Sequence, residues 1–441
     1  MNRNTSNNKN ASKEVDQPKQ HNLSKQIGGN IIWLVLGRFG SQILMVLFTI
    51  LIARRLGEVG LGQYAFLASI IVVANVVTSF GTDMLLVREI AADGNLSPIP
   101  ASLLIQISLS IVLVVTVFFA APLIPNQTAQ AIHALRLYSL TLFPLAFYTS
   151  FSAALRGSQR MDAFTFLISV TGILQLILAW FLLTSSSNIV TLALLLLGVQ
   201  VFAAIFASIL CLRYVPGFRQ ILWVPTPAKL FTLIKISAPI ALLGLFGMFY
   251  QRLGLFMLTA LDGAAATGWY SAALRIVEAP KVIHIAVLGA IFPVMSQTYA
   301  PHPGRSSPIQ SEKLFSLSWK SLLTIAVLIS LALYTFADPI IYLLYGNAYQ
   351  PSVAVLKILA WILIPYTLTH YLSLRLLSSQ KEKSIAYALI ASLTALILLG
   401  GFAIPAHGIT GAATAVVIAE SIQAVILILF WRQQRPAINR N

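Results

Sequence analysis

Leu192–Cys211 reads LALLLLGVQVFAAIFASILC, twenty residues with no charge and only Gln200 and Ser208 carrying polar side chains. A helix of that length rises about 30 Å, the thickness of a bilayer's hydrocarbon core. Apolar and polar residues do not alternate, so the stretch is not the strand of a membrane barrel. Ser321–Phe336 has the same character. Outward from these segments the chain is uniform. Of 441 residues, 58% are apolar and 10% are charged, with a mean hydropathy of +0.83. A soluble domain carries about 25% charged residues, so there is too little polar surface to clothe a water-soluble globule. One cysteine, Cys211, excludes a disulfide scaffold. The fold class that remains is an all-α, multi-pass membrane protein.

Twelve windows have the length and apolarity of a span: 30–52, 64–86, 101–121, 135–155, 163–183, 189–212, 236–261, 269–294, 321–344, 353–376, 385–404 and 409–431. Residues 1–29 are polar and rich in Asn, Lys, Gln and Ser, which predicts a disordered tail rather than a signal peptide. The net charge of +16 would suit a nucleic-acid binder if the bases shared one solvated face. They instead punctuate the apolar windows, and no nucleic-acid partner is expected. With the N-terminus inside, 21 of the 29 bases fall in the N-terminal tail, in the loops after even-numbered spans, or in the C-terminal tail 432–441. Only Arg54, Arg55 and Arg136 fall on the opposite side. The positive-inside rule then predicts both termini in the cytoplasm.

The chain also repeats itself. Leu135-Arg136-Leu137, Pro144 and Gln159-Arg160 recur as Leu356-Lys357-Ile358, Pro365 and Gln380-Lys381, all at one constant offset and without a gap. Six spans separate the matched positions. This predicts two six-helix lobes, 30–212 and 236–431, related by a pseudo-twofold along the membrane normal. The Pro-rich, basic segment 213–235 reads as the linker. Pro144 and Pro365 predict kinks at equivalent places in spans four and ten. Two lobes around a cleft make a transporter architecture.

An ionisable residue inside a span costs about 2.5 kcal/mol or more and marks a site. Arg252 lies sixteen residues into span seven, about 15 Å from its outer end and too deep to snorkel comfortably. A cavity-lining role and a structural ion pair are its two readings. Arg38, eight residues into span one, either lines the cavity or reaches the cytoplasmic interface. Span eight carries Arg275, Glu278, Lys281 and His284 at steps of three. Such a face lines water or pairs internally, as Arg275–Glu278 and Glu278–Lys281. Arg136 and Lys357 are shallow and read as interfacial. The membrane acids are Asp83, Glu278, Asp338 and Glu420. Bases outnumber acids inside the spans, which points to an anionic cargo. Glu278 and Glu420 are the carboxylates available for proton or sodium coupling, with a packing role as the alternative for Glu420.

No Walker-type loop appears, and six scattered histidines with one cysteine have no metal-ligand spacing. The expectation is a non-enzyme with no cofactor and no metal. The outer loops are too short to hold a polymerase or glycosyltransferase site.

Several stretches resemble the lipid-linked polysaccharide-repeat flippases of the multidrug/oligosaccharidyl-lipid/polysaccharide exporter superfamily. They are Gly37-Arg38, Ala53-Arg54-Arg55-Leu56-Gly57, Gly62-Gln63-Tyr64, Phe80-Gly81, Arg88-Glu89-Ile90-Ala91 and Arg156-Gly157 through Met161 in the first half. In the second half they are Tyr250-Gln251-Arg252, Gly268 through Ala273, Arg275-Ile276-Val277-Glu278, Phe292-Pro293, Tyr345-Gly346 and His407 through Ala413. The motifs run in order over nearly all of the chain after residue 29. One departure stands out: members often carry an acid two residues after the span-seven arginine, and here that residue is Gly254. This predicts an Arg252 without a carboxylate on its own helix, hence a free cation. The resemblance implies export of an undecaprenyl-diphosphate-linked oligosaccharide, an anionic lipid-linked cargo, to the outer leaflet for O-antigen or exopolysaccharide assembly. Arg38, Arg252, Arg275 and Lys281 would bind it, Glu278 or Glu420 would couple it, and membrane lipid, a polymerase and glycosyltransferases would be partners. A drug exporter of the same superfamily and a non-transport scaffold of a synthesis complex are the alternatives.

Overall fold

The structure, a computed structural model, describes residues 17–184, 186–221, 227–299, 308–378 and 381–433; side chains are described outside 17–32, 34, 227–229, 283–299, 308–318 and 378. The described residues are helical, without strands. In chain order the helices are α1 (Gln17–Ser79), α2 (Thr82–Asp93), α3 (Ile99–Ala120), α4 (Ala129–Ser139), α5 (Leu142–Gly157), α6 (Met161–Leu182), α7 (Ile189–Tyr214), α8 (Pro227–Tyr299), α9 (Pro308–Thr335), α10 (Ala337–Tyr345), α11 (Ser352–Leu359), α12 (Leu363–Ser378) and α13 (Glu382–Arg432).

Among the described residues, seven helices are long and apolar enough to cross a membrane, or eight when the bent pair α9–α10 counts as one crossing. Three are too long for one span: α1 has 63 residues, α8 has 73 and α13 has 51, where about 20 suffice to cross. Each is broken at a glycine: Gly57 in α1, Gly263 in α8 and Gly408 in α13. Gly57 (φ 68°, ψ −171°) and Gly263 (φ 83°, ψ −169°) share a conformation that a Cβ disfavours. Dividing the three helices at their breaks gives eleven segments, and α4–α5 is the twelfth; the twelve-span count rests on that division. Large apolar side chains face outward around the bundle, among them Leu123, Phe181 and Phe402, each at least three-quarters exposed. Such a surface suits lipid rather than water.

The internal repeat is visible in the backbone. Arg160 N–H donates to Leu155 O at 3.0 Å, and Lys381 N–H donates to Leu376 O at 2.9 Å, the same bond at matched positions of the two halves. The α4–α5 break and the α11–α12 break also correspond, with α5 opening at Leu142 and α12 at Leu363. A proline ring clashes with the carbonyl four residues earlier. For Pro144 and Pro365 those are Leu140 and Trp361, both inside the breaks, so the expected kinks lie at equivalent places. Around the first hairpin of each half the offset is shorter: Gly57, Gly62 and Tyr64 match Gly263, Gly268 and Tyr270. The second half therefore has more chain between Tyr270 and Lys357 than the first has between Tyr64 and Arg136.

Two expected spans are not straight. Span two breaks at Phe80 (φ 49°) and Gly81 (φ 69°), after which the chain restarts as α2. Span nine bends by 70° between Thr335 and Ala337, four residues before Pro339 and for the same steric reason.

The largest core sits where the halves meet near the base-poor face. Phe48, Ile52, Leu61 and Leu67 pack there with Leu255, Leu258, Val277 and Leu356. A methyl group at Gly62 would overlap the Ala264 carbonyl, and one at Gly268 would overlap the Glu58 carbonyl. The two hairpins thus approach backbone to backbone, reciprocally. Arg54 adds bonds to Leu343 O (2.6 Å) and Leu344 O (2.9 Å), and Asn126 Nδ2 donates to Ala260 O (2.7 Å). The base-poor end of the interface between the halves is closed.

Candidate functional site

Arg252 and the span-eight charges lie on the two arms of α8, folded against each other at Gly263. That fold brings an arginine from one arm to a glutamate on the other. Arg275 Nη1 donates to Glu278 Oε2 at 2.9 Å, the expected i,i+3 pair. Arg252 Nη1 lies 3.6 Å from Glu278 Oε1. One carboxylate is therefore bracketed by two guanidinia, one on each oxygen. The three side chains are 16–23% exposed, with Arg275 least and Glu278 most, so the cluster is sheltered but reachable. Arg252 Nε is buried without a hydrogen-bond partner among the described residues. Tyr64 and Tyr270, matched across the halves, are buried within electrostatic reach of Arg252 and Glu278.

Of the two pairings that the spacing allowed Glu278, the one with Lys281 is not made. Lys281 Nζ lies 4.6 Å from the Tyr366 ring centre, a cation–π contact worth roughly 0.5–2 kcal/mol. It sits within electrostatic reach of both Glu278 and Glu420. Glu420 is buried, 6% exposed, and accepts a 3.0 Å hydrogen bond from Tyr250 Oη. Ser392, beside it, donates to Ala419 O. Five of the six residues singled out from sequence, Arg252, Arg275, Glu278, Lys281 and Glu420, thus form one chain of charges within the second half. Tyr250 and Tyr366 belong to it too. Their signal in the sequence was a polar ring within an otherwise apolar segment, which does not distinguish a site from packing.

Arg38 stands apart. Its side chain is exposed, and its charged neighbour is Arg156, which lies 3.9 Å from Asp83. The side chain of His284 lies outside the described residues. The expectation of a free Arg252 needs correction: no acid stands two residues after it, but Glu278 supplies one from the other arm. Gly254 is buried, and a Cβ there would stand 2.7 Å from Val416 Cγ2, so a side chain at this position would require Val416 to move. The shallow bases are held rather than free. Arg136 donates to Phe118 O at 3.0 Å and stacks over the Phe118 ring, and Lys357 bonds Asp338 at 2.8 Å.

The profile of the polysaccharide biosynthesis protein family matches residues 27–299, and that of the lipid II flippase MurJ matches residues 166–440. Among solved structures, an inward-facing multidrug resistance MATE family transporter of the MOP superfamily is similar at a TM-score of 0.74 and 16% identity, over 91% of this chain and 96% of that one. The lipid II flippase MurJ in an inward closed conformation is similar at 0.71 and 14%, over 91% and 87%. A MOP superfamily transporter from Pyrococcus furiosus is similar at 0.66 and 17%, over 95% and 97%. No curated protein matches the chain significantly in sequence.

Proposed function

This chain belongs to the polysaccharide biosynthesis protein family, as a lipid-linked flippase of the MOP superfamily, and on that premise we propose that it carries undecaprenyl-diphosphate-linked oligosaccharide repeat units across the bacterial inner membrane by alternating access. The base-rich face is cytoplasmic, and segments 30–212 and 236–431 are the two lobes that rock about the cleft. The observation that carries the reading is the convergence of Arg252, Arg275 and Lys281 at membrane depth with Glu278 as their nearest acid. Charges placed there are costly, and an excess of cations suits a diphosphate. A carrier of organic cations would call for the opposite balance. Arg38, exposed near Arg156 on the cytoplasmic side, meets the headgroup as it enters.

Of the two carboxylates considered for coupling, Glu420 is the better placed. Glu278 is committed to two guanidinia, whereas Glu420 is held by a neutral tyrosine and can change its ionisation without breaking an ion pair. The polymerase and glycosyltransferases of the same pathway are the expected partners, and membrane lipid is the medium of exit. Complementation of a strain lacking its repeat-unit flippase tests the reading. Arg252→Ala should abolish surface polysaccharide at normal expression, and full complementation by that variant would overturn the central-cation site. Complementation by every variant of the cluster would favour a scaffold role instead.

A further inference from the structure

We propose that Glu278 is a stand-in anion: before cargo binds, its carboxylate holds the position that the cargo's phosphate oxygens take, and cargo binds by displacing it. This rests on the anionic-cargo reading and adds how that site is emptied and reset. The carboxylate meets the two arginines unequally. Its contact with Arg275 is a 2.9 Å hydrogen bond within one helix arm. Its contact with Arg252, across to the other arm, is 3.6 Å, an ion pair without a hydrogen bond. Among the described residues, Arg252 Nε is also buried without a partner. A guanidinium presents five donors in a planar fork, and one carboxylate oxygen at that distance leaves the fork unsatisfied. A diphosphate brings more oxygens and more charge to the same fork.

Glu278 also has somewhere to go. Lys281 is one turn further along the same arm, at the i,i+3 spacing that favours pairing, yet it rests on Tyr366 instead. When phosphate oxygens take Arg252 and Arg275, the freed carboxylate can turn to Lys281 without being left unpaired. When cargo leaves, it returns to the arginines. An internal competitor of this kind lowers apparent affinity by the fraction of time the site is occupied, which favours release on the far side of the membrane.

Calorimetric titration of the purified full-length protein with inorganic pyrophosphate, and in parallel with farnesyl diphosphate, tests this. Glu278→Gln removes the competing charge and should tighten binding of both probes about tenfold while slowing transport. Glu278→Asp shortens the side chain by one methylene and draws the carboxylate back, most consequentially from Arg252, whose contact is already the longer one. It should tighten binding about threefold, and it serves if the glutamine variant does not fold. Wild-type binding that neither variant tightens would overturn the inference and leave the cargo reading intact. No binding of either probe to the wild type or the variants would overturn both.

Discussion

Glu420 and Tyr250 show how a buried acid is kept in an apolar bundle. Tyr250 donates its hydroxyl to Glu420, and such an intramolecular hydrogen bond contributes roughly 0.5–1.5 kcal/mol. Tyr250→Phe should therefore lower the melting temperature of the solubilised protein. Glu420→Gln keeps an oxygen acceptor but loses the ionisable group. Transport by that variant should stop responding to an imposed proton or sodium gradient, as vesicle assays with and without ionophore would read. Outside the membrane segments, Arg160 makes two bonds to Asp162, 3.0 and 2.8 Å, which hold that carboxyl below its ordinary range. The stabilisation is present above the unfolded carboxylate's range and is lost as pH falls through the lowered value. The pair is largely exposed, so Asp162→Asn should flatten the acid side of a stability–pH curve by less than about 1 kcal/mol. At this scale the sequence was partly legible. The Arg275–Glu278 pair follows from spacing along one helix. The Arg252–Glu278 and Lys281–Tyr366 contacts join different segments, so they depend on helix rotation and packing that no spacing encodes.

Among the elements, the paired glycines carry the most consequence. Gly62 and Gly268 let the two hairpins meet backbone to backbone at the base-poor end. A methyl group there forces the hairpins apart and weakens closure on that side. Gly268→Ala should reduce transport by about tenfold. It should also raise labelling of Ser271→Cys, buried in the wild type, by an impermeant maleimide applied from the base-poor side. The lone native Cys211 is fully buried and contributes little background. Unchanged labelling would mean that the interface between the halves does not close through these glycines. The proline breaks of α4–α5 and α11–α12 were legible, because a proline's clash is local and its effect falls four residues upstream. The breaks at Phe80-Gly81 and before Pro339 are equally local, but continuous hydropathy concealed them. A window average sees composition and is blind to backbone direction.

For the whole molecule, hydropathy and the placement of bases indicate an all-helical membrane protein, because burying a backbone in lipid leaves few alternatives. The repeat was legible at one offset only. The extra chain between Tyr270 and Lys357 puts the hairpins out of step with the later match, and Gly57/Gly263 with Gly62/Gly268 recover the correspondence once the conformations are compared. Across that repeat the halves differ in chemistry. Ser69, Val72 and Asn75 occupy the positions that correspond to Arg275, Glu278 and Lys281, so the charges belong to one half. This asymmetry underlies the central claim, that the second half grips a diphosphate while the whole carrier reorients. The most direct measurement uses proteoliposomes containing a fluorescent polyprenyl-diphosphate oligosaccharide, a membrane-impermeant quencher, and an uncharged polyprenyl glycoside as control. The wild-type protein should make the diphosphate-linked lipid accessible from the opposite leaflet while the uncharged lipid stays put, and Arg252→Ala with Arg275→Ala should lower the rate at least tenfold. Equal movement of both lipids, or an unchanged rate in the double variant, would contradict a carrier that grips its cargo by the diphosphate.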